Sequence, residues 1–132
     1  MILHVLKNII KVQNTIPQAL QPKLKSTLNN LEKGIVSKVN KPTDWVQSLV
    51  IVEKPNGNPR LCLDNKLNKV IKRDHYQITC TDDIISRLED KKIFSVVDLK
   101  DGFWHVPLDE VSSEICTFNT PFGRYKFNKL PF

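Results

Sequence analysis

Seven residues, Ile93-Phe-Ser-Val-Val-Asp-Leu99, limit what this chain can fold into more than any other segment. The run is rich in β-branched residues and almost continuously apolar, the pattern of a strand covered on both faces. It predicts a central strand with neighbours on either side. A carboxylate at its end, Asp98, is costly in such a place unless it is paired or binds a metal ion. Lys100-Asp101-Gly102 then breaks the strand and forms a turn whose backbone N–H groups can face an anion. Phe103 and Trp104 follow and can wall a pocket.

The remaining elements fit around that strand. Leu20, Leu24, Leu28 and Leu31 recur at helical spacing and predict a helix over residues 18–33, with prolines at its start and Gly34 at its stop. Residues 35–39 predict a short strand. Residues 48–54 and 60–64 predict a hairpin closed by Pro55-Asn-Gly-Asn58. Residues 65–80 have no period and read as a basic loop. Thr81 can cap a helix with Asp82 and Asp83 in its first turn and Ile84, Ile85 and Leu88 facing inward. Residues 115–120 and 125–130 predict two more strands about the turn Pro121-Phe-Gly-Arg124. The fold class is α+β, mostly antiparallel strands with two or more helices. Residues 1–16 have no period and read as a lead-in arm.

Charge and composition exclude several classes. The longest wholly apolar run, Leu49-Val-Ile-Val52, is far short of the roughly 20 residues of a membrane-spanning helix, so no membrane partner is expected. The start of the chain lacks a basic region and a small-residue cleavage site, so it does not read as a signal peptide. Three widely spaced cysteines, Cys62, Cys80 and Cys116, argue against a disulfide framework or a zinc knuckle and read as partly buried thiols in a reducing compartment. The net charge of +6 is unevenly divided: residues 1–73 hold 13 Lys and Arg against 4 Asp and Glu, and residues 74–132 hold 7 against 10. A basic half beside an acidic half suits a polyanion-binding surface next to carboxylates, or else a solvated basic face.

The candidate chemistry lies where those halves meet. A metal-binding carboxylate, a backbone cradle and an aromatic wall suit nucleotidyl transfer with two metal ions about 3.5–4 Å apart. The other reading of Asp98 is a turn cap or a partner for a lysine. Lys54, Arg60, Lys66, Lys69, Lys72 and Arg73 cluster on and after the hairpin. Arg60 stands out, because a guanidinium fixed on a strand can grip a phosphate bidentately. Ordinary surface cations are the alternative. His4, His75 and His105 have no metal-ligand spacing, and His105 reads as a packing residue.

Five motifs occur in the order found in one family: Leu31-Glu-Lys-Gly-Ile-Val36 with Thr43-Asp-Trp-Val46; Val50-Ile-Val-Glu-Lys-Pro-Asn-Gly57; Arg60-Leu-Cys-Leu-Asp64 with Leu67-Asn68; residues 94–105; and residues 116–125 ending at Leu130-Pro-Phe132. Together they resemble the reverse transcriptase of gypsy-type long-terminal-repeat retrotransposons, a relative of retroviral enzymes. The resemblance implies a fingers-and-palm fold, with fingers over about 18–80 and the start of the palm over about 81–132. It implies that Asp98 is the first metal-binding, catalytic aspartate and that Asp101 and Gly102 meet the incoming triphosphate. Phe103 matches the aromatic gate that excludes a ribose 2′-OH. Arg60 and Lys54 match the nucleotide-binding cations of the fingers, and Phe132 begins a segment near nucleotide and template. It further implies Mg²⁺, an RNA or DNA template-primer, deoxynucleoside triphosphates, the rest of a Pol polyprotein, and a cytoplasmic particle.

Two departures from the family pattern stand out. The spacing at Asn65-Lys66 is one residue short. The second carboxylate motif, Tyr-x-Asp-Asp, does not occur, and Asp82-Asp83 cannot replace it. The expectation is a polymerase fragment that is inactive alone. The alternative is a remnant that only binds nucleic acid through its basic half.

Overall fold

The computed structural model describes residues 16–64, 68, 72 and 74–131. A 3₁₀ turn over Gln18–Leu20 leads into α1, Gln21–Leu31. Pro22 stands within the first turn of α1, where a missing N–H costs nothing. The helix buries Leu24, Leu28 and Leu31, the stripe read from the sequence. Gly34 follows with φ of 118°, left-handed backbone that a Cβ would strain. The chain then enters β1, Val36–Val39.

Two sheets form. β2, Leu49–Glu53, and β3, Pro59–Leu63, make the expected antiparallel hairpin, with Leu49 opposite Leu63 and Val52 opposite Arg60. The second sheet has the order β1-β5-β4, where β4 is Thr117–Thr120 and β5 is Gly123–Phe127. Its central strand is therefore β5, which pairs antiparallel with both β1 and β4. The sheets meet where the Gln47 N–H donates to the Thr117 carbonyl at 2.6 Å. The core lies between α1 and these strands: Leu24, Leu28, Leu31, Val36, Leu49, Leu61, Phe118, Tyr125 and Phe127. The Phe118 and Phe127 rings lie 5.1 Å apart, within the range of favourable aromatic contact.

Several expectations need correction. Residues 93–99 form no strand; every residue from 74 to 100 is exposed. Apolar patterning can show that a segment suits a sheet, but a strand also needs a hydrogen-bonding neighbour, and this segment belongs to neither sheet among the described residues. Helix α2, Thr81–Leu88, forms as expected, yet its N-cap is Cys80 rather than Thr81. Its apolar residues Ile84, Ile85 and Leu88 are exposed rather than turned into the core, and no residue of that helix is buried. Cys80 is exposed, whereas Cys62 and Cys116 are partly buried and all three are free thiols. Burial raises the Cys116 thiol to about 11, so it stays protonated and unreactive.

One helix was not foreseen. α3, Glu110–Ile115, occupies residues whose end was assigned to a strand. Its signal is Asp109, whose carboxylate accepts the Ser112 N–H at 2.7 Å and caps the helix. Ser113, buried in α3, donates to the Phe127 carbonyl at 2.6 Å and ties the helix to β5. Glu110 pairs with Lys126 of β5 at 2.7 Å. Residues 1–15, the shortened spacing at 65–66, the cations at 66, 69 and 73, and Phe132 lie outside the described residues.

Two stability outcomes follow from this packing. Leu28 is 1% exposed, so Leu28→Ala is expected to destabilise the chain by about 2–5 kcal/mol in urea unfolding. The second outcome concerns pH. The Ser112 N–H holds the Asp109 carboxyl below its ordinary 3.8, so its contribution is complete above that value and is lost as pH falls through the lower folded value. Asp109→Ala should therefore have a lower unfolding midpoint than the parent chain at neutral pH. That gap should close only below pH 3.8, and a gap that is constant with pH would rule out the cap as its source.

Candidate nucleotide-binding cleft

The residues singled out in the sequence come from two separate segments, and the fold brings most of them to one cleft. The β2–β3 hairpin supplies Lys54, just past the end of β2, and Arg60, on β3. The hairpin turn holds Lys54 in place, with its N–H donating to the Asn58 carbonyl at 3.0 Å and its carbonyl accepting the Gly57 N–H at 2.8 Å. Across from the hairpin runs the segment from Leu99 through Val106. The cleft between them measures about 620 Å³ and is lined by Leu99, Asp101, Gly102, Phe103, Val106 and Leu130 besides the two cations. That volume lies within the range of small-ligand sites, about 300–1,000 Å³.

One wall is formed by the turn expected at Asp101-Gly102. Asp101, not Gly102, carries the left-handed conformation, with φ 53° and ψ 45°. Aspartate tolerates this region better than most residues because its short polar side chain can hydrogen-bond locally. Gly102 begins a 3₁₀ turn, Gly102–His105, in which the Trp104 N–H donates to the Asp101 carbonyl at 2.9 Å. His105 is exposed rather than packed; its Nε2 sits 3.1 Å from the Lys100 carbonyl oxygen and steadies the turn. The far side of the wall is anchored to the main sheet region, since the Leu130 N–H donates to the Val106 carbonyl and the Leu108 N–H to the Asn128 carbonyl, each at 2.9 Å.

Phe103 is 50% exposed and stands outside the hydrophobic core. Asp98 does not line the cleft, although its neighbour Leu99 does. Its carboxylate is exposed, so burial places no demand on it for a partner. Among the described residues no group of three or more His, Cys, Asp or Glu side chains could hold a metal ion. Lys72, from the basic cluster, is exposed and is not part of the cleft wall.

Sequence reasoning missed Leu99, Val106 and Leu130, which supply the apolar part of the wall. Nothing in their local pattern marks them, because the cleft is made by segments far apart in the chain. A further link was also invisible. Thr43 and Arg124 belong to separate motifs, and the Arg124 guanidinium donates to the Thr43 hydroxyl at 2.9 Å and to the Asn119 side-chain oxygen at 3.0 Å. These two motif residues hold the loop before β2 against the β4–β5 hairpin.

The family model described as "Reverse transcriptase (RNA-dependent DNA polymerase)" matches residues 52–132, more than half of the chain. The chain belongs to the reverse transcriptase family. As a reverse transcriptase segment it is 38% identical over 81 residues to the enzymatic polyprotein of Cauliflower mosaic virus, covering 61% of this chain and 12% of that protein. It is 35% identical over 111 residues to the retrovirus-related Pol polyprotein from transposon 412 of Drosophila melanogaster, covering 77% of this chain and 9% of that one. The chain thus spans about a tenth of each of these two polyproteins. Its fold matches the foamy viral protease-reverse transcriptase solved in complex with double-stranded DNA, at a TM-score of 0.77 and 25% identity over 92% of this chain and 26% of that one. The α+β architecture is therefore that of reverse transcriptases, enzymes that as a family use a divalent metal ion.

The turn geometry yields a prediction. A Cβ added at Gly102 would meet only the Leu99 Cβ, at an ordinary 3.6 Å, and Gly102 lies outside the left-handed region. Gly102→Ala is therefore expected to leave the fold intact and to stabilise it by about 0.4–1 kcal/mol through the unfolded state. A loss of more than about 1 kcal/mol in urea unfolding would show that the turn cannot accept a side chain.

Proposed function

We propose that this chain is the nucleotide-binding part of an RNA-directed DNA polymerase of a gypsy-type retrotransposon. In the complete protein it would serve template-directed transfer of deoxynucleotides to a primer 3′ end. The observation that carries the reading is the meeting of Lys54 and Arg60 with the Asp101-Gly102-Phe103 turn across one cleft. Two cations facing a backbone turn and an aromatic ring suit a triphosphate joined to a sugar and base. The similarity to the transposon 412 polyprotein supports the retrotransposon assignment. The foamy viral enzyme was also solved with an RNA/DNA hybrid, which supports a template-primer of RNA or DNA as partner.

In this reading Lys54 and Arg60 neutralise the triphosphate and orient it along the hairpin. The guanidinium adds a fixed fork that lysine lacks. Phe103 lies at the sugar, its ring half-exposed on the cleft wall and outside the hydrophobic core. Asp98 is one ligand of a Mg²⁺ ion. The described residues do not complete a metal site around it, and the remaining ligands would come from other parts of the polymerase. Fingers over about 18–80 and the start of the palm over about 81–132, in a unit of residues 17–132, follow the same reading. So does a place in a cytoplasmic particle with the rest of a Pol polyprotein.

The test is primer extension by a chimera in which this chain replaces the matching segment of the transposon 412 polyprotein. The 132-residue chain alone is expected to give no extension, and the chimera is expected to extend. Asp98→Asn in the chimera should abolish extension. Phe103→Val should admit ribonucleotides while keeping deoxynucleotide use. If the steric clash is about 3–4 kcal/mol, the ratio of kcat/KM for the two sugars should fall on the order of a hundredfold or more. Equal losses for both sugars would make Phe103 a packing residue and would remove the gate from the reading.

A further inference from the structure

The β2–β3 hairpin carries the two cations of the cleft but forms a sheet of its own, separate from β1-β5-β4. A two-stranded sheet is marginal by itself, so the place of Lys54 and Arg60 depends on what fastens the hairpin to the rest of the chain. The backbone that leads into β2 is fastened at two points. One is Gln47, whose N–H donates to the Thr117 carbonyl at 2.6 Å and whose side-chain amide donates to the Ile115 carbonyl at 3.3 Å. The other is Arg124, on the central strand β5. Its Nε donates to Oδ1 of Asn119, its register partner on β4, at 3.0 Å, and its Nη1 donates to the Thr43 hydroxyl at 2.9 Å. The Thr43 hydroxyl in turn donates to the Trp45 carbonyl at 3.1 Å. A relay of side chains thus runs from β4 through β5 to the entrance of β2.

We infer that Arg124 is a positioning residue for the nucleotide, holding the hairpin so that Lys54 and Arg60 face the Asp101-Gly102-Phe103 turn at the separation a triphosphate needs. The inference rests on the nucleotide-binding reading of the cleft. Arg124 does not line the cleft, so it acts through the hairpin. Arginine suits the task because its N–H groups lie in one rigid plane. With two of them on separate acceptors, the guanidinium cannot swing without losing a bond. Both acceptors are neutral oxygens and the side chain is half-buried, the arrangement of a brace rather than of charge neutralisation. The opposite wall has ties of its own, from Leu130 to Val106 and from Leu108 to Asn128. The brace therefore governs the phosphate side of the cleft and leaves the sugar side alone.

This division sets the kinetic signature. Lys54 and Arg60 grip the triphosphate before the transfer and during it, so misplacing them weakens both states alike and appears in KM rather than kcat. Sugar selection at Phe103 is untouched.

The test uses the primer-extension chimera with Thr43→Val, Arg124→Met and Arg124→Lys. Each is expected to raise KM for the deoxynucleotide about tenfold and to change kcat by less than about threefold. The ratio of kcat/KM for deoxy- and ribonucleotide should stay at the parent value. Thr43→Val keeps the side-chain shape and every charge, so it serves even where the arginine variants do not fold. In an Arg60→Ala background Thr43→Val should raise KM by less than about twofold, because the cation it helps to place is gone. On the 132-residue chain alone, Thr43→Val should speed hydrogen exchange at the Gln47 amide and leave the β1–β5 ladder protected. A parental KM in Thr43→Val overturns the inference. So does a parental KM in Arg124→Lys, since charge and not the planar fork would then be acting. A further tenfold rise in the Arg60→Ala background, a loss confined to kcat, or unchanged exchange at Gln47 overturns it too. A parent chimera that does not extend overturns the proposed function and this inference with it, whereas an active parent with indifferent variants overturns this inference alone.

Discussion

The pairing of β1 with β5 is the constraint on which the rest of this structure depends. It joins Val36 to Phe127 and Val39 to Arg124, segments separated by most of the chain. Closing so long a loop costs conformational entropy that the four residue pairs of that ladder do not offset alone. The offset comes from what the pairing encloses. Phe118 and Phe127 are 0% and 1% exposed, and they meet Leu24 and Leu28 of α1 in one core. The Asn128 N–H donates to the Ile35 carbonyl at 2.8 Å, and Ser113 bonds the Phe127 carbonyl, so the strand end is fixed from two sides. Without that junction neither α1 nor the β4–β5 hairpin has a surface on which to bury its apolar face.

The cleft is a consequence of the same junction. The β2–β3 hairpin is held to the main sheet by the Gln47–Thr117 bond and by Arg124, which reaches back to Thr43. The opposite wall is held by the bonds that run from Val106 and Leu108 to Leu130 and Asn128. Both walls therefore rest on the β4–β5 region, which sets how far Arg60 stands from Phe103. Specificity in such a site lives in a few side chains, while their placement belongs to the sheet beneath them.

Residues 74–100 obey different physics. Helix α2 has a strongly amphipathic sequence and still shows its apolar face to water, and the stretch after it is more exposed still. Apolar surface of this extent on a folded chain marks a place where another surface belongs.

Local pattern alone determined the helix over α1, the β2–β3 hairpin with its turn, the presence of a second hairpin near the end, and the alternation along β3 that sends Leu61 inward. In each the deciding interactions are near in sequence, whether leucines at helical spacing or a turn that sets strand register. The family motifs also pointed to Lys54, Arg60 and the Asp101-Gly102-Phe103 turn, which do meet at one cleft. Tertiary structure decided the rest. It made β5 the central strand, because hydrogen-bonded neighbours rather than apolarity select a centre. It left Ile93–Leu99 outside both sheets, set the left-handed residue at Asp101, and formed α3 from six residues capped by Asp109. A sequence reports how well a segment would suit burial or pairing. Whether burial or pairing occurs depends on which distant backbone groups come within hydrogen-bonding reach, and that follows from closing the whole chain.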